Sequence, residues 1–259
     1  MDKLERIVSE NRFTIAVIFP LIGAITFLAS AEGLLPEILS FNPWFILFGT
    51  VVMRLPLVAG LKPLIGKKAA AGLILVSLYS YFIEYVGLRT GWPYGSFEYL
   101  LELGPMFEGF PLALPIFFIP LVLNSYLLVN LAGVSKRWLR FLLSLMLVLA
   151  VDAVLDPAMV SLGVWQYAEG FYYGVPLSNY LGWVLSGSIV LLVVEHVFDA
   201  SKVRERLSEA DFMLDDFVSF VFLWGVINLY YFNIIPVIIA ALIGLMLHRM
   251  DRFSFAWQA

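Results

Sequence analysis

Long apolar runs alternate with short polar breaks along the chain. A run of about 18 or more apolar residues is long enough to cross the ~30 Å hydrocarbon core of a bilayer as a helix. Eight such runs occur, at approximately 13–31, 43–61, 69–87, 111–133, 138–156, 180–198, 215–232 and 233–248. Only a turn near Asn233 and Pro236 divides the last two, so seven spans with one helical hairpin is the alternative count. The pattern predicts an all-α, polytopic membrane bundle, formed by a single integral-membrane domain over residues 1–259.

The polar breaks carry a charge pattern that orients these spans. Lys3, Arg6 and Arg12 precede the first run, and Lys62, Lys67 and Lys68 follow the second. Lys136, Arg137 and Arg140 lie between the fourth and fifth, Lys202, Arg204 and Arg206 between the sixth and seventh, and Arg249 and Arg252 end the chain. Fourteen of the 16 cations thus fall on alternate breaks, and only Arg89, on the other side, and Arg54, inside a span, depart from the pattern. The positive-inside tendency makes both termini cytoplasmic in a multi-pass protein of the cell membrane. The leading segment imitates a secretory signal, with Ala29-Ser30-Ala31 as its cleavage site. Asp2, Glu5, Glu10 and Pro20 oppose that reading, which leaves a retained first helix. The charged, amphipathic stretch 199–214 reads as a solvated linker.

Composition sharpens the class. Apolar residues make up 61% and charged residues 14%, with a mean hydropathy of +0.91, against ~45–50% and ~25% in soluble domains. A disordered chain, a nucleic-acid binder and an ordinary soluble enzyme are excluded. The net charge of −4 provides no bulk basic field. Without cysteine there are no disulfides, thiolate metal sites or thiol nucleophiles, and with only His196 and His248 there is no multi-histidine metal site. Phosphate-binding loops, nucleophile elbows, nucleotide fingerprints and aspartate-rich diphosphate motifs are absent, so no metal or organic cofactor is implied. Oligomeric state is not readable.

Two long segments on the Arg89 side, 88–110 and 157–179, are rich in aromatic residues, Gly and Pro rather than Ser, Lys or Glu. They resemble each other. In each, a carboxylate (Glu84, Asp156) ends a span, Gly91 or Gly163 follows seven residues later, and an aromatic cluster comes next. A Gly-x-Pro-Leu string (from Gly109 or Gly174) then opens the returning span. Spans three–four and five–six therefore read as parallel repeats about an axis along the membrane normal. The repeat sets Glu84 and Asp156 at equivalent depths facing a shared cavity.

Ionisable residues inside a span are costly and therefore functional suspects, and Arg54, Glu84, Asp152, Asp156 and Glu195 qualify. Asp152 and Asp156, at i and i+4, share a helix face, and two neighbouring carboxylates in low dielectric cannot both ionise cheaply, so one can serve as an acid. The alternative is structural, with Asp156 capping a helix broken before Pro157 and Asp152 paired with an arginine. Glu84 is either a partner in catalysis or an interfacial partner of Arg89. Arg54 and Glu195 are expected to pair within the membrane. Asp215-Asp216 reads as an isolated acidic pair at a helix start. The aromatic crowd on the Arg89 side, Tyr99, Tyr167 and Trp183 among it, is in part an interfacial belt, and aromatic faces also stabilise carbocations.

The strings E-Y-V-G-L-R-T-G-W-P-Y-G-S-F-E-Y (84–99), L-D-P-A-M-V-S-L-G-V-W-Q-Y (155–167) and Y-Y-G-V-P-L-S-N-Y-L-G-W (172–183) resemble the membrane-integral carotenoid biosynthesis family. That family includes hydratases of the bacterioruberin pathway and 1′-hydratases acting on γ-carotene and lycopene. The resemblance spans about residues 45–245. It implies a carotenoid substrate taken from the lipid bilayer, with water added across a terminal isoprenoid C=C and no redox cofactor. The residues suit that chemistry: Asp156 or Asp152 as proton donor and Glu84 as partner in water activation. Tyr85, Trp92, Tyr94, Trp165 and Tyr173 are candidates to hold the cation, and Ser178 and Asn179 to position the water. Arg54, Arg89 and Glu195 are assigned structural roles. Other carotenoid-pathway enzymes are the protein partners such a reading allows.

Two alternatives remain at this level. A lycopene-type cyclase uses the same acid chemistry but captures the cation with an internal alkene. A small-molecule transporter or carotenoid-binding protein would share the repeats and intramembrane carboxylates, but here the acids cluster on one side and no line of polar residues crosses the membrane.

Overall fold

The structure, a computed structural model, describes residues 2–250 and 252. The chain begins with a short amphipathic helix, α1 (Lys3–Glu10). Asp2 caps it by accepting from Glu5 N at 2.9 Å, and the Glu5 carboxylate accepts from Asp2 N at 3.2 Å, which satisfies two end donors reciprocally. A π-helical turn, Thr14–Ile18, leads into α2 (Phe19–Ala31). Then come α3 (Pro43–Leu61) and α4 (Lys67–Thr90), and after a loop carrying strand β1 (Phe97–Tyr99) and the small hairpin β2 (Met106–Phe107) and β3 (Phe110–Pro111), α5 (Leu114–Leu131). The second half contains α6 (Arg137–Ser161), β4 (Trp165–Tyr167), α7 (Leu177–Val197), α8 (Ala200–Glu209), α9 (Asp215–Tyr230) and α10 (Ile234–Arg249).

Seven helical segments are long and apolar enough to cross a membrane: Thr14–Ala31, Pro43–Leu64, Lys67–Thr90, Leu114–Leu131, Arg137–Ser161, Leu177–Val197 and Asp211–Tyr230. The eighth apolar helix, α10, has 16 residues, about 24 Å at 1.5 Å per residue, and is short for a full span. It still returns the chain to its starting end. Arg12 binds Asp215 at the head of α9 and also donates to the Arg252 carbonyl at 3.0 Å. The eight-run reading therefore corresponds to seven full-length spans and one short helix that completes a hairpin with α9.

Helices α4 to α7 form one group, each of α4 and α6 packing on both α5 and α7. α5 is the most enclosed of them, with Tyr126, Leu127 and Leu128 almost wholly buried. α9 is enclosed to the same degree, packing on α2, α3, α6 and α10, and one contiguous apolar core runs from Val8 to Leu247. β1 and β4 pair antiparallel across the end of the bundle, with Phe97 opposite Tyr167, Glu98 opposite Gln166 and Tyr99 opposite Trp165.

Two interior prolines place polar groups. Pro120 in α5 lacks the N–H that would reach the Ile116 carbonyl, and Arg54 Nε donates to that carbonyl instead, at 3.2 Å. Pro157 likewise frees the Ala153 carbonyl, which accepts from the Tyr172 hydroxyl at 3.2 Å. Helix α6 continues past Pro157 to Ser161, so Asp156 does not cap a broken helix; the tyrosine makes good the missing bond.

The ion pairs differ from those expected. Arg54 pairs with Asp216, which also accepts from Asn124 Nδ2 at 2.5 Å, and not with Glu195. Glu195 receives two 2.6 Å bonds from Arg140 on the neighbouring α6, with Arg137 3.7 Å away. Asp215 and Asp216 are not an isolated surface pair: both are buried, and each faces an arginine. Segment 199–214 is not a solvated linker either. It forms α8, which buries Val203 and Leu207, and Arg206 donates to the Gly60 carbonyl at 3.0 Å and pairs with Glu5. Its hydrophobic stripe, two residues wide, was too short to outweigh its charge in the sequence.

Candidate active site

Three carboxylates without an ionic partner gather at the end of the bundle opposite Arg12 and Arg206. Glu84 lies in the outer part of α4, and Asp152 and Asp156 lie one turn apart on α6; all three are buried. Each helix ends at a left-handed glycine, Gly91 with φ of 74° and Gly163 with φ of 69°, a conformation that costs glycine little. The chain then turns back over its own helix. Tyr99 on β1 donates to Glu84 Oε1 at 2.6 Å, and Tyr167 on β4 donates to Asp156 Oδ2 at 2.8 Å.

The β1–β4 strand pair has the symmetry of a local two-fold. Phe97-Glu98-Tyr99 corresponds to Trp165-Gln166-Tyr167, and their antiparallel register is the one such an axis requires. The equivalent of Tyr167 is therefore Tyr99. Four extra residues in the first loop, beginning at Trp92, shift the register.

Asn179, in the first turn of α7, closes the constellation. Its Nδ2 donates to Asp152 Oδ2 at 2.9 Å and to Asp156 Oδ2 at 2.7 Å, so one amide bridges the two aspartates. Asp152 Oδ1 is buried without a hydrogen-bond partner, as is the indole Nε1 of Trp165. Burial, and then the adjacent charge of Glu84, push the Tyr99 phenol well above its ordinary value. Burial and then Asp156 do the same to Tyr167. Both remain O–H donors.

These groups face a partly open cavity of about 120 Å³. Glu84, Asp156 and Asn179 supply its polar wall, and Phe97, Tyr99, Phe118, Trp165 and Trp183 much of its aromatic wall. Trp183 stacks on Phe118 with ring centroids 4.9 Å apart. Tyr94 packs flush on Gly182, where a β-carbon would collide with its ring, and its hydroxyl meets Ser186 Oγ at 2.7 Å. The arrangement offers two carboxyl groups, each hydrogen-bonded by a phenol, to a ligand in a chamber otherwise mostly aromatic and aliphatic, with Asn179 and the Asp216-paired Arg54 as its other polar walls. Among the described residues, no three His, Asp or Glu side chains come together as a metal site would need.

Of the residues singled out from sequence, Glu84, Asp156, Asn179, Tyr94, Trp165 and also Arg54 line this cavity. Asp152 lies one turn behind, bound through Asn179. Tyr85 and Trp92 face outward, and the Tyr85 ring lies 5.4 Å beneath the Arg89 guanidinium. Arg89 pairs with Glu108, not with Glu84. The Tyr173 hydroxyl accepts from Ile235 N at 3.3 Å, and Ser178 donates to the Tyr94 carbonyl at 3.4 Å; neither side chain is part of the lining. Tyr99, Tyr167, Phe118 and Trp224 also line the cavity, and none of them carries a role assigned from sequence, although Tyr99 and Tyr167 belong to the aromatic crowd. The first two were detectable as aromatics at alternate positions of matching three-residue strings, a period-2 pattern hidden inside long loops.

Residues 41–247 match the model of a family described as carotenoid biosynthesis protein. Bisanhydrobacterioruberin hydratase of Haloarcula japonica is 56% identical over 257 residues, which cover 98% of this chain and 88% of that protein. No solved structure matches. A family match over most of the chain, together with a relative of this identity along nearly its whole length, establishes the family: the chain belongs to the carotenoid biosynthesis proteins.

Proposed function

We propose that this protein is a carotenoid hydratase that acts on a bisanhydrobacterioruberin-type end group, and that Asp156 is its proton donor. The observation that carries the residue assignment is the pair of phenol-bonded carboxyls, Glu84–Tyr99 and Asp156–Tyr167, facing one aromatic cavity. The 56% identical relative supports the substrate class.

The reaction follows from the placement. Asp156, entering as the carboxylic acid, gives its proton to the less substituted carbon of a terminal trisubstituted C=C. The alkene π-pair forms the new C–H bond and leaves a tertiary cation on the neighbouring carbon. Trp165, Trp183, Tyr99 and Phe118 surround that carbon with π-faces, each worth about 2 kcal/mol to a desolvated cation. Water held at Glu84 adds to the cation, and Glu84 takes the proton released as the tertiary alcohol forms. The sum is one alkene plus one water. The proton then returns to Asp156 through solvent, which resets both groups. Tyr167 and Asn179 hold Asp156 by its Oδ2, and Asp152, bound to the same amide, is a positioning residue. The protein acts in the cell membrane with its Lys- and Arg-rich end in the cytoplasm, so the reacting end of the carotenoid lies toward the opposite leaflet. Other enzymes of the pathway supply the substrate from the same bilayer.

The test is expression in cells that make bisanhydrobacterioruberin, with mass analysis of the pigment. Wild type is expected to add the mass of one water per modified end. Asp156→Asn, which keeps the shape and the Oδ acceptor, is expected to lower that yield by about 10²–10⁴-fold. A ring formed at unchanged mass would overturn the hydration reading in favour of cyclisation. Full activity of Asp156→Asn would overturn the assignment of the donor.

A further inference from the structure

A second and larger cavity, about 280 Å³, lies beside the first, between α2, α3 and α9. The two share five walls: Arg54, Leu103, Phe117, Met159 and Trp224. Its lining is nearly all aromatic and aliphatic, and the few hydroxyl and amide groups there are already spent. Thr26 donates to the Ile22 carbonyl, Ser30 to Thr26, Asn42 to Ile38 and Thr50 to Ile46, each at 2.8 or 2.9 Å along its own helix. Arg54, at the junction, is engaged by Asp216 and by the Ile116 carbonyl. Away from Arg54, whose guanidinium sits at the junction with the first cavity, the chamber's side-chain donors are engaged within the protein. Its outer edge, at Ile22, Phe45 and Phe48, is exposed on the flank of the bundle, where the surrounding phase is lipid. An apolar chamber of this size, left without a filling side chain, forfeits packing energy unless a ligand occupies it.

We infer that the two cavities form one substrate channel: the reacting end group occupies the carboxylate chamber, and the conjugated polyene chain lies in the α2–α3–α9 chamber and reaches lipid between α2 and α3. The inference rests on the hydratase reading for what happens at the closed end. The occupant, a long and rigid polyene chain without hydrogen-bonding groups along its length, matches a wall that away from Arg54 is aromatic and aliphatic with its few polar groups already engaged. The shared residues then serve as the collar through which the chain passes. Selection of the substrate by length belongs to this second chamber, and the chemistry to the first.

Gly49 offers the means to close the channel. Its missing side chain faces the second chamber, and a β-carbon there would meet only Phe19 Cε1, at 3.7 Å, an ordinary contact. The experiment compares wild type, Gly49→Phe, which fills the chamber, and Ile74→Phe, on an exposed position of α4 away from both cavities. Each full-length protein is purified in detergent from cells making bisanhydrobacterioruberin. Two readouts are taken: polyene absorbance per protein, and hydration kinetics with added carotenoid. Gly49→Phe is expected to lose at least about tenfold in bound pigment and to show a KM raised by a similar factor at a kcat near that of wild type, equivalent to about 1.4 kcal/mol of binding. Ile74→Phe is expected to match wild type in both. Pigment and KM unchanged in Gly49→Phe would overturn the channel, including the case in which a lipid acyl chain fills the chamber instead. If Gly49→Phe loses its cooperative thermal transition, Thr50→Leu, one residue along on the same wall, answers the same question. If wild type binds pigment that Gly49→Phe loses, yet hydrates nothing, the hydratase reading fails and the channel stands.

Discussion

The two ends of the bundle treat buried acids in opposite ways. At the Lys- and Arg-rich end and in the half of the bundle next to it, each buried acid faces an arginine: Glu5 with Arg206, Asp215 with Arg12, Asp216 with Arg54, Glu195 with Arg140. At the other end Glu84, Asp152 and Asp156 face tyrosines and an asparagine. An arginine partner favours the charged form of a carboxylate, because taking up a proton would strand a buried cation. A phenol or amide partner bonds to the group in either protonation state. The first end is therefore built to stay put, and the second to exchange a proton.

This contrast can be broken from either side. The largest expected effect on stability comes from Asp216→Ala, which leaves Arg54 in the wall of both cavities without its counter-charge. We expect a loss of about 3–5 kcal/mol, read as thermal unfolding in detergent. Asp156→Asn should instead stay within about 1 kcal/mol of wild type, since its Oδ still accepts, while hydration collapses. Equal destabilisation by the two variants would erase the distinction between the ends.

Next in size is the removal of a phenol from the reacting end. Tyr167→Phe takes away one of the two donors to Asp156 Oδ2, about 1–2 kcal/mol for a bond to a carboxyl group. Hydration is expected to slow by about tenfold, with a fall of a few degrees in the thermal midpoint. Tyr99→Phe should act in the same direction through Glu84. Because the Tyr99 and Tyr167 phenols both titrate well above their ordinary value, the wild-type rate should show no phenolate-dependent fall as pH approaches 10. An alkaline loss that disappears in Tyr167→Phe would contradict this.

A smaller effect is expected from Tyr172→Phe, which deprives the Ala153 carbonyl freed by Pro157 of its donor. The cost is about 1 kcal/mol, seen in the thermal midpoint. The smallest belongs to Asp2, whose carboxyl is lowered from 3.8 to about 2, first by its hydrogen bond to Lys62. A depressed carboxylate stabilises the fold above its unfolded value and ceases to do so as pH falls through its folded one. The difference in thermal midpoint between wild type and Lys62→Met should therefore be constant above about pH 4 and vanish toward pH 2. A difference that survives below pH 2 would point to packing of the lysine stem instead.

Much of the architecture was legible along the chain. Hydropathy located the spans because a helix that faces lipid must be apolar over its whole length, a local property. The i, i+4 spacing put Asp152 and Asp156 on one face of α6, since helix periodicity is also local. The repeat brought Glu84 and Asp156 to one cavity, because the same sequence of span, glycine and aromatic cluster folds the same way twice. Partner choice was not legible. Arg54 meets Asp216 and not Glu195, Glu84 meets Tyr99 and not Arg89, and Tyr85 and Trp92 turn outward while Tyr99 and Tyr167 turn in. Depth in the membrane was known for these residues, but the rotation of each helix about its axis was not, and in bundles with hydropathic moments near zero the sequence carries almost no signal for it. By itself, the sequence determined an all-helical membrane protein whose aromatic-rich end, holding Glu84 and Asp156, lies away from its cations. Only the tertiary structure decided which acids keep an arginine and which are left with a phenol, because that depends on side chains far apart in the chain meeting within a hydrogen-bond length.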